Sequence, residues 1–353
     1  DRSSAASDVY KRQGLKSSVF FHIITSKKGG LLVRAVKMAK DTDDINLVDI
    51  DQPDIQADQI LVEVQACGVN RLDLIHRKSK ADQVLGVEVA GRVVEAGDQA
   101  QTKVGSRVMG LGQTGGYADY AVLDDQLAMP VPEHLSFVQA AAIPEVFLTA
   151  YQCLFTIGQL KADQKVLIHA GASGVGTAAI QLARQVSPSR IYATAGSSNK
   201  IQFCQDLGAD LAINYKEEDF AKLFSADSQD QGVDLILDFV GANYWHQNIA
   251  TLATDGKLVL IGLLSGSQVK DLDLAEIQSK RLQIEGTLLS SRSLAYKRDL
   301  VASFTSHALD RFQSGRLEPI IDQVFPFENV EVAHQYMACL LYTSDAADER
   351  SSV

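Results

Sequence analysis

KVLIHAGASGVGTAAIQLA, from Lys165 to Ala183, reads as an apolar strand, a glycine-rich turn and a helix in immediate succession. Gly171, Gly174 and Gly176 permit a tight turn and close approach of backbone, with Ser173 in the usual middle-glycine position and Val175 beside it. The helix that starts there presents amide groups and the positive end of its dipole, a setting that suits a pyrophosphate. A glycine pattern alone is weak evidence, so its context decides. RIYATA (Arg190 to Ala195), LAIN (Leu211 to Asn214), VDLILD (Val233 to Asp238) and KLVLIG (Lys257 to Gly262) follow, separated by helix-like segments. That alternation predicts an α/β fold with a doubly wound parallel sheet, a Rossmann dinucleotide domain.

The cofactor follows from the end of the second strand. An NAD site carries an acid about 20 residues past the turn, where it binds the ribose hydroxyls. Here that place is AGSSNK, Ala195 to Lys200, and it holds no acid. Ser197 and Lys200 offer a hydroxyl and a cation suited to a 2′-phosphate, which points to NADPH. The same residues also allow a simpler arrangement, with Ser197 capping the next helix and Lys200 in solvent.

The chain ends read differently from the rest. Ser3 to Gln13 (SSAASDVYKRQ) and Cys339 to Glu349 (CLLYTSDAADE) resemble translations of the two strands of one transposase-library adapter. The expectation is that 1–13 and 339–353 are adapter-derived and that the natural protein is interrupted at about Ala338. Within 14–32, Lys28, Gly29 and Gly30 can be encoded by a ribosome-binding sequence just upstream of Val33, so this segment reads as untranslated and the start falls at Leu32 or Val33. None of this enters fold reasoning.

The whole chain has a formal net charge of -11 and no basic run, which argues against a nucleic-acid partner. No apolar stretch approaches the roughly 18 residues of a membrane span, and FFHIIT is too short for a secretory core, so no membrane partner is expected and the cytoplasm is the default. Cys67, Cys153 and Cys204 lack paired spacing and read as reduced, buried thiols. His169 lies inside an apolar strand and reads as core, while His76, His246 and His307 read as solvent-facing. No Ser/His/Asp or Cys/His set suggests hydrolysis.

From Val33 to Leu127 the pattern changes to short alternating strands joined by glycine turns, among them ILVEVQACGVN, GVEVAGRVVEAG and GGYADYAVL, which predicts a small antiparallel β domain. After Ser290, HALDRFQSGRLEPIIDQVFPFENVEVAHQYM holds two helices and a strand that return to it. GVNRLDL (Gly68 to Leu74), LGVEVAGRVVEAG (Leu85 to Gly97), AAAIPEVFLTAYQ (Ala140 to Gln152), the glycine turn, INYKEEDF (Ile213 to Phe220) and IIDQVFPFENVEVAHQYM together resemble the medium-chain dehydrogenase/reductase superfamily, in particular its NAD(P)H quinone oxidoreductase branch. The resemblance implies a GroES-like, mostly-β catalytic domain over 33–151, the Rossmann NADPH-binding domain over 152–290 and a return to the catalytic domain over 291–338. Dimers are common in such a family.

Zinc members of that superfamily carry a cysteine where this chain has Asn70 and a histidine where it has Val87, next to Glu88. An amide and a valine cannot replace thiolate and imidazole at a catalytic zinc, so the resemblance implies metal-independent reduction of an already electrophilic acceptor. It places Asn70 at the nicotinamide and substrate end, where its amide could donate to a developing oxyanion, although Asn70 could instead only organise the GVN turn. Thr149 matches a residue near the nicotinamide and phosphates, or is a helix residue with its hydroxyl bonded backward. Tyr215 matches the tyrosine that joins Ser197 and Lys200 at the 2′-phosphate. Gly241, Gly262 and Leu263 fall at the carboxyl ends of later strands, where such folds hold the nicotinamide half. Val240 and Leu264 read as packing.

One departure bears on substrate. Where the family has a glycine-, tyrosine- and proline-rich stretch, this chain has only HRKSKADQV, His76 to Val84, so the tyrosine that would stack on a quinone is missing and Tyr117 is the available substitute, unless GGYADY is simply a strand edge. The expectation is an NADPH-dependent quinone oxidoreductase working in an interdomain cleft. A 2-enoyl reductase is the alternative, kept open by Arg77, Lys78 and Lys80, as is an NADPH-binding protein of low turnover.

Overall fold

The computed structural model describes residues 19–22, 32–39, 44–79, 82–187, 189–225 and 232–343. The adapter-like segment 1–13 lies outside them, as do 344–353, and of 14–32 only 19–22 and Leu32 are described. The chain divides into two compact units: Thr149–Ser291, and the described parts of 16–148 with Arg292–Leu340.

The second of these units is built around one long strand. β1 (Val19–His22) is followed by a two-stranded ribbon of β2 (Leu32–Met38) and β3 (Ile45–Asp51). β4 (Gln59–Val69) pairs antiparallel with β1, with β5 (Glu88–Ala96) and with β7 (Tyr120–Asp124). β6 (Arg107–Leu111) extends the sheet from β5, and β8 (Ala128–Pro130) from β6. β4 reads QILVEVQACGV because it is enclosed: Ile60, Leu61, Val62, Val64, Ala66, Cys67 and Val69 are all buried. Gly91 permits the close approach of β5, since a Cβ there would lie 2.1 Å from the Glu63 carbonyl oxygen.

In the nucleotide unit, β9 (Lys165–Ile168), β10 (Arg190–Ala195), β11 (Leu211–Asn214), β12 (Val233–Asp238), β13 (Leu252–Leu260) and β14 (Gln283–Gly286) form one parallel sheet in the order β11-β10-β9-β12-β13-β14. The expected parallel sheet is therefore present. β10, β11 and β12 have the limits read from sequence, whereas β13 starts earlier than KLVLIG and the polar QIEG of β14 went unread. Val166, Leu167 and Ile168 are fully buried in succession, the continuous apolar run of a strand covered on both faces.

The return segment supplies the helix Leu294–Gln313, β15 (Gln323–Pro326) and the helix Val330–Thr343, the two helices and a strand expected. β15 pairs parallel with β1. Phe327, Val330 and Ala333 enter the same core as Val36, Ile60, Val64, Val89 and Leu123. Phe312 packs edge-on to Phe147 at 4.9 Å between ring centroids, with Phe304 at 6.3 Å, and the Arg298 guanidinium donates to Asp124 and, at 2.9 Å, to Asp58.

Two expectations need correction. Phe137–Ile157 is long and apolar enough to cross a membrane, where the sequence reading found no such stretch, because Glu145, Thr149 and Gln152 interrupt its apolar run; most of it is buried, as for a core helix. His76 and His307 are half-buried rather than solvent-facing, since each lies on a packed helix, while His246 is exposed.

Replacing the fully buried Phe312 by alanine is expected to destabilise the protein by about 3 to 5 kcal/mol, measured by chemical denaturation, because the aromatic cluster cannot collapse into the space left.

Candidate active site

The glycine turn has the geometry of a phosphate cradle. Gly171 N–H donates to the Thr194 carbonyl at 2.9 Å, and the Ser173 hydroxyl caps the helix Gly174–Ala183 by accepting from Gly176 N–H at 3.2 Å. The amides of Gly174 and Val175 have no partner within the helix, by helix geometry. A Cβ on Gly176 would lie 2.3 Å from the Ala170 carbonyl oxygen, and one on Gly171 2.8 Å from Ala193 Cβ, so neither position admits a side chain. Ala170 itself sits at φ 48°, left-handed backbone that a side chain strains.

Ser197 and Lys200 follow the end of β10 and Tyr215 the end of β11, and the two strand ends are neighbours because Ala195 pairs with Asn214. Ser197 stands at the N-cap position of the helix Ser198–Asp206 but makes no side-chain capping bond, which removes the capping alternative. The Tyr215 hydroxyl is buried and without a hydrogen-bond partner among the described residues. A buried hydroxyl lacking a partner costs stability unless something supplies one.

At the carboxyl ends of β12 and β13, two turns are fastened together. Ser265 N–H and hydroxyl both donate to the Val240 carbonyl, at 2.8 and 2.9 Å, and Ala242 N–H donates to the Gly266 carbonyl at 3.1 Å. Gly241 has φ 88°, and a Cβ there would fall 2.8 Å from the Gly266 carbonyl oxygen; a Cβ on Gly262 would fall equally close to that of Phe239. Leu263 is 55% exposed on this edge. Thr149 is buried in the helix Pro144–Tyr151.

In the β unit, Asn70 precedes the helix Arg71–Ser79. Its N–H donates to Asp73 Oδ2 at 2.7 Å and its carbonyl accepts from Asp73 N–H at 3.1 Å, so backbone and Asp73 hold the turn. The Asn70 side chain is thereby released, and its Nδ2 donates to Glu88 Oε1 at 2.7 Å. Glu88 Oε2 accepts from Glu145 N–H at 2.8 Å. Burial pushes Glu88 up to about 8, against the hydrogen bonds from Asn70 and Glu145; burial likewise raises Asp73 to about 7, and burial with the Asp73 charge raises Glu145 to about 7. The sequence reading missed Asp73 and Glu145 and passed over Glu88 as a neighbour of Val87. The signal was present for Glu88 and Glu145, each of which interrupts an otherwise apolar run.

Tyr117 does not replace the missing tyrosine. It is wholly buried, donates its hydroxyl to Asp73 Oδ2 at 2.9 Å and packs edge-on to His334. Arg77 pairs with Glu331 at 3.0 Å, and Lys80 lies outside the described residues. Among the described residues no cluster of three His, Cys, Asp or Glu could hold a metal.

The alcohol dehydrogenase GroES-like domain matches residues 56–133 and the zinc-binding dehydrogenase domain 174–305. The quinone oxidoreductase of Homo sapiens is 30% identical over 81% of this chain and 87% of that protein. The synaptic vesicle membrane protein VAT-1 homolog of Danio rerio is 28% identical, and the chain spans 63% of its length. Among solved structures, Escherichia coli quinone oxidoreductase complexed with NADPH aligns with a TM-score of 0.78 and 26% identity, over 87% of this chain and 96% of that one, and the CurK enoyl reductase with 0.77 and 26%, over 88% and 97%. A GroES-like unit joined to a six-stranded nucleotide-binding sheet defines a medium-chain oxidoreductase. The chain belongs to the zinc-independent quinone oxidoreductase branch of the medium-chain dehydrogenase/reductase superfamily.

Two measurements follow from this geometry. Ala170→Gly relieves the left-handed strain and is expected to stabilise by about 0.5 to 1 kcal/mol, a rise of about 2 °C in the melting midpoint. The folded pKa values of Glu88, Asp73 and Glu145 lie above their ordinary ones, so the stability these groups contribute is complete below their ordinary values and is lost as pH rises through 7 to 8. Denaturation is expected to show stability falling between about pH 6 and about pH 8, by about 1.4 kcal/mol per pH unit for each proton held only in the folded state, and Glu88→Gln is expected to reduce that slope.

Proposed function

We propose that this protein is an NADPH-dependent, metal-independent reductase of quinones and related electrophilic acceptors. The observation that carries the reading is the Asn70–Glu88 pair: at the place where zinc relatives set a thiolate, a neutral amide donates to a buried carboxyl. Such a pair offers hydrogen bonds to a substrate oxygen and no Lewis acid, which suits an acceptor already electrophilic.

The amides at the start of Gly174–Ala183, over Gly171 and Gly176, receive the pyrophosphate, while Ser197, Lys200 and Tyr215 take the 2′-phosphate. Gly241, Gly262 and Leu263 hold the nicotinamide half, with Thr149 and Asn70 toward its reacting end. NADPH supplies the hydride when bound. Asn70 Nδ2 carries two protons and gives one to Glu88, which leaves the other for an oxygen that gains charge as the acceptor is reduced. The hydride brings two electrons, and solvent supplies the further proton of the hydroquinone. A homodimer and a cytoplasmic location belong to the same reading; β14 at the sheet edge, followed by the exposed Leu288, supports self-association.

A 2-enoyl reductase is favoured by one observation, the CurK enoyl reductase aligning as well as the quinone oxidoreductase. It loses support from Arg77, which is engaged with Glu331. A protein that binds NADPH with little turnover would show tight binding and no acceptor reduction.

NADPH oxidation measured with a naphthoquinone and an enoyl thioester separately is expected to be fast with the quinone and slow with the thioester; the reverse would replace the substrate class. In the same assay Lys200→Ala is expected to raise KM for NADPH about tenfold and leave that for NADH unchanged, the loss of one charge-assisted bond.

A further inference from the structure

A buried polar chain runs through the nucleotide unit that the cofactor reading does not use. The Thr194 hydroxyl in β10 lies 3.0 Å from Nδ1 of His169, which follows β9; His169 Nε2 lies 2.7 Å from Asn248 Oδ1, in the helix Trp245–Thr251; Asn248 Nδ2 lies 3.0 Å from Asp238 Oδ2, at the end of β12. Thr194, His169, Asn248 and Asp238 are all buried. Asp238 Oδ1 in turn accepts from Val240 N–H at 2.7 Å and Gly241 N–H at 3.1 Å.

The chemistry allows this chain only one direction. Asn248 must donate with Nδ2 to the carboxylate, so its Oδ1 accepts from His169 and Nε2 carries the proton. Burial lowers the imidazole to about 4, so it is neutral, and Nδ1 accepts from the Thr194 hydroxyl. Every donor therefore points toward Asp238. Phe220 and Tyr244 enclose the His169 ring, at 4.9 and 4.7 Å between centroids, which fixes its orientation.

Four buried polar side chains are an expensive way to hold three strands and a helix together, since apolar groups of the same shape would pack at lower cost. What they add is direction at one end. The carboxylate of Asp238 holds Val240 and Gly241, in a turn whose φ of 88° only glycine adopts without strain and whose carbonyl at Val240 is fastened to Ser265. We infer that Thr194, His169, Asn248 and Asp238 are positioning residues that set the Val240–Gly241 turn against the nicotinamide half of the cofactor. This rests on the reading of the protein as an NADPH enzyme.

The test compares two ligands by calorimetry on the full chain: NADPH, and adenosine 2′,5′-bisphosphate, which carries the 2′-phosphate end and lacks nicotinamide. Asn248→Leu is expected to weaken NADPH about tenfold and leave the bisphosphate within about twofold, since a lost hydrogen bond to a charged group is worth that much. Thr194→Val, a milder change at the far end, is expected to shift the ratio of the two affinities about threefold in the same sense. His169→Gln, which keeps a donor toward Asn248, is expected to preserve the ratio where His169→Leu does not. Equal weakening of both ligands, or no change in the ratio with Thr194→Val when Asn248→Leu does not fold, overturns the inference and leaves the cofactor reading standing. A wild-type protein that binds neither ligand overturns both.

Discussion

β9 and β12 are joined by the ladder that runs up to His169 N–H and the Leu237 carbonyl, 3.1 Å apart, at the one place where the order of the parallel sheet reverses. Everything in the nucleotide unit depends on that pairing. In a parallel sheet all carboxyl ends lie on one edge, and where the order reverses the loops part and leave a crevice. The glycine turn after β9, the Gly241 turn after β12 and the Gly262 turn after β13 all border it. The close contacts of Gly171, Gly176, Gly241 and Gly262 are the consequence of bringing so many loops to one edge.

The same edge explains why polar groups are buried below it. A turn at φ 88° persists only if the surrounding structure holds it. Apolar packing resists compression but gives little direction, whereas a carboxylate that accepts two backbone N–H groups specifies where both point. Asp238 performs that task and pays for it with a pKa raised by burial to about 6, moderated by its donors Val240, Gly241 and Asn248.

In the β unit a comparable arrangement surrounds Asn70. Three carboxyl groups without an equal number of buried cations can coexist only if part of their charge is neutralised by protons, and their raised pKa values express that. Gly68 makes room for the arrangement, because a Cβ there would collide with Glu88 Oε1 at 1.9 Å. Glycine beside the glutamate and asparagine two residues on thus form one unit, in which backbone clearance lets a carboxyl reach an amide.

Much of the fold was legible in the chain. The strands β9 to β12, the glycine turn and the two helices and strand of the return segment follow from local pattern, because apolar runs, glycine and helical spacing act over a few neighbouring residues. Ser197, Lys200 and Tyr215 were legible as candidates for the same reason, each standing just past a readable strand. β14 escaped because QIEG is an exposed edge with little apolar signal, and the membrane-length run Phe137–Ile157 because its apolar character is spread over interruptions. Tyr117 stayed open between a substitute for the missing tyrosine and a strand edge, because GGYADY does not by itself say which side chains are buried. The sequence by itself thus determined the parallel sheet and the antiparallel unit, both set by local composition and order. Only the tertiary structure decided the partners of Asn70, the cluster of Asp73, Glu88 and Glu145, and the chain from Thr194 to Asp238. Those groups come from separate strands and helices, and the packing that brings them together is a property of the whole fold.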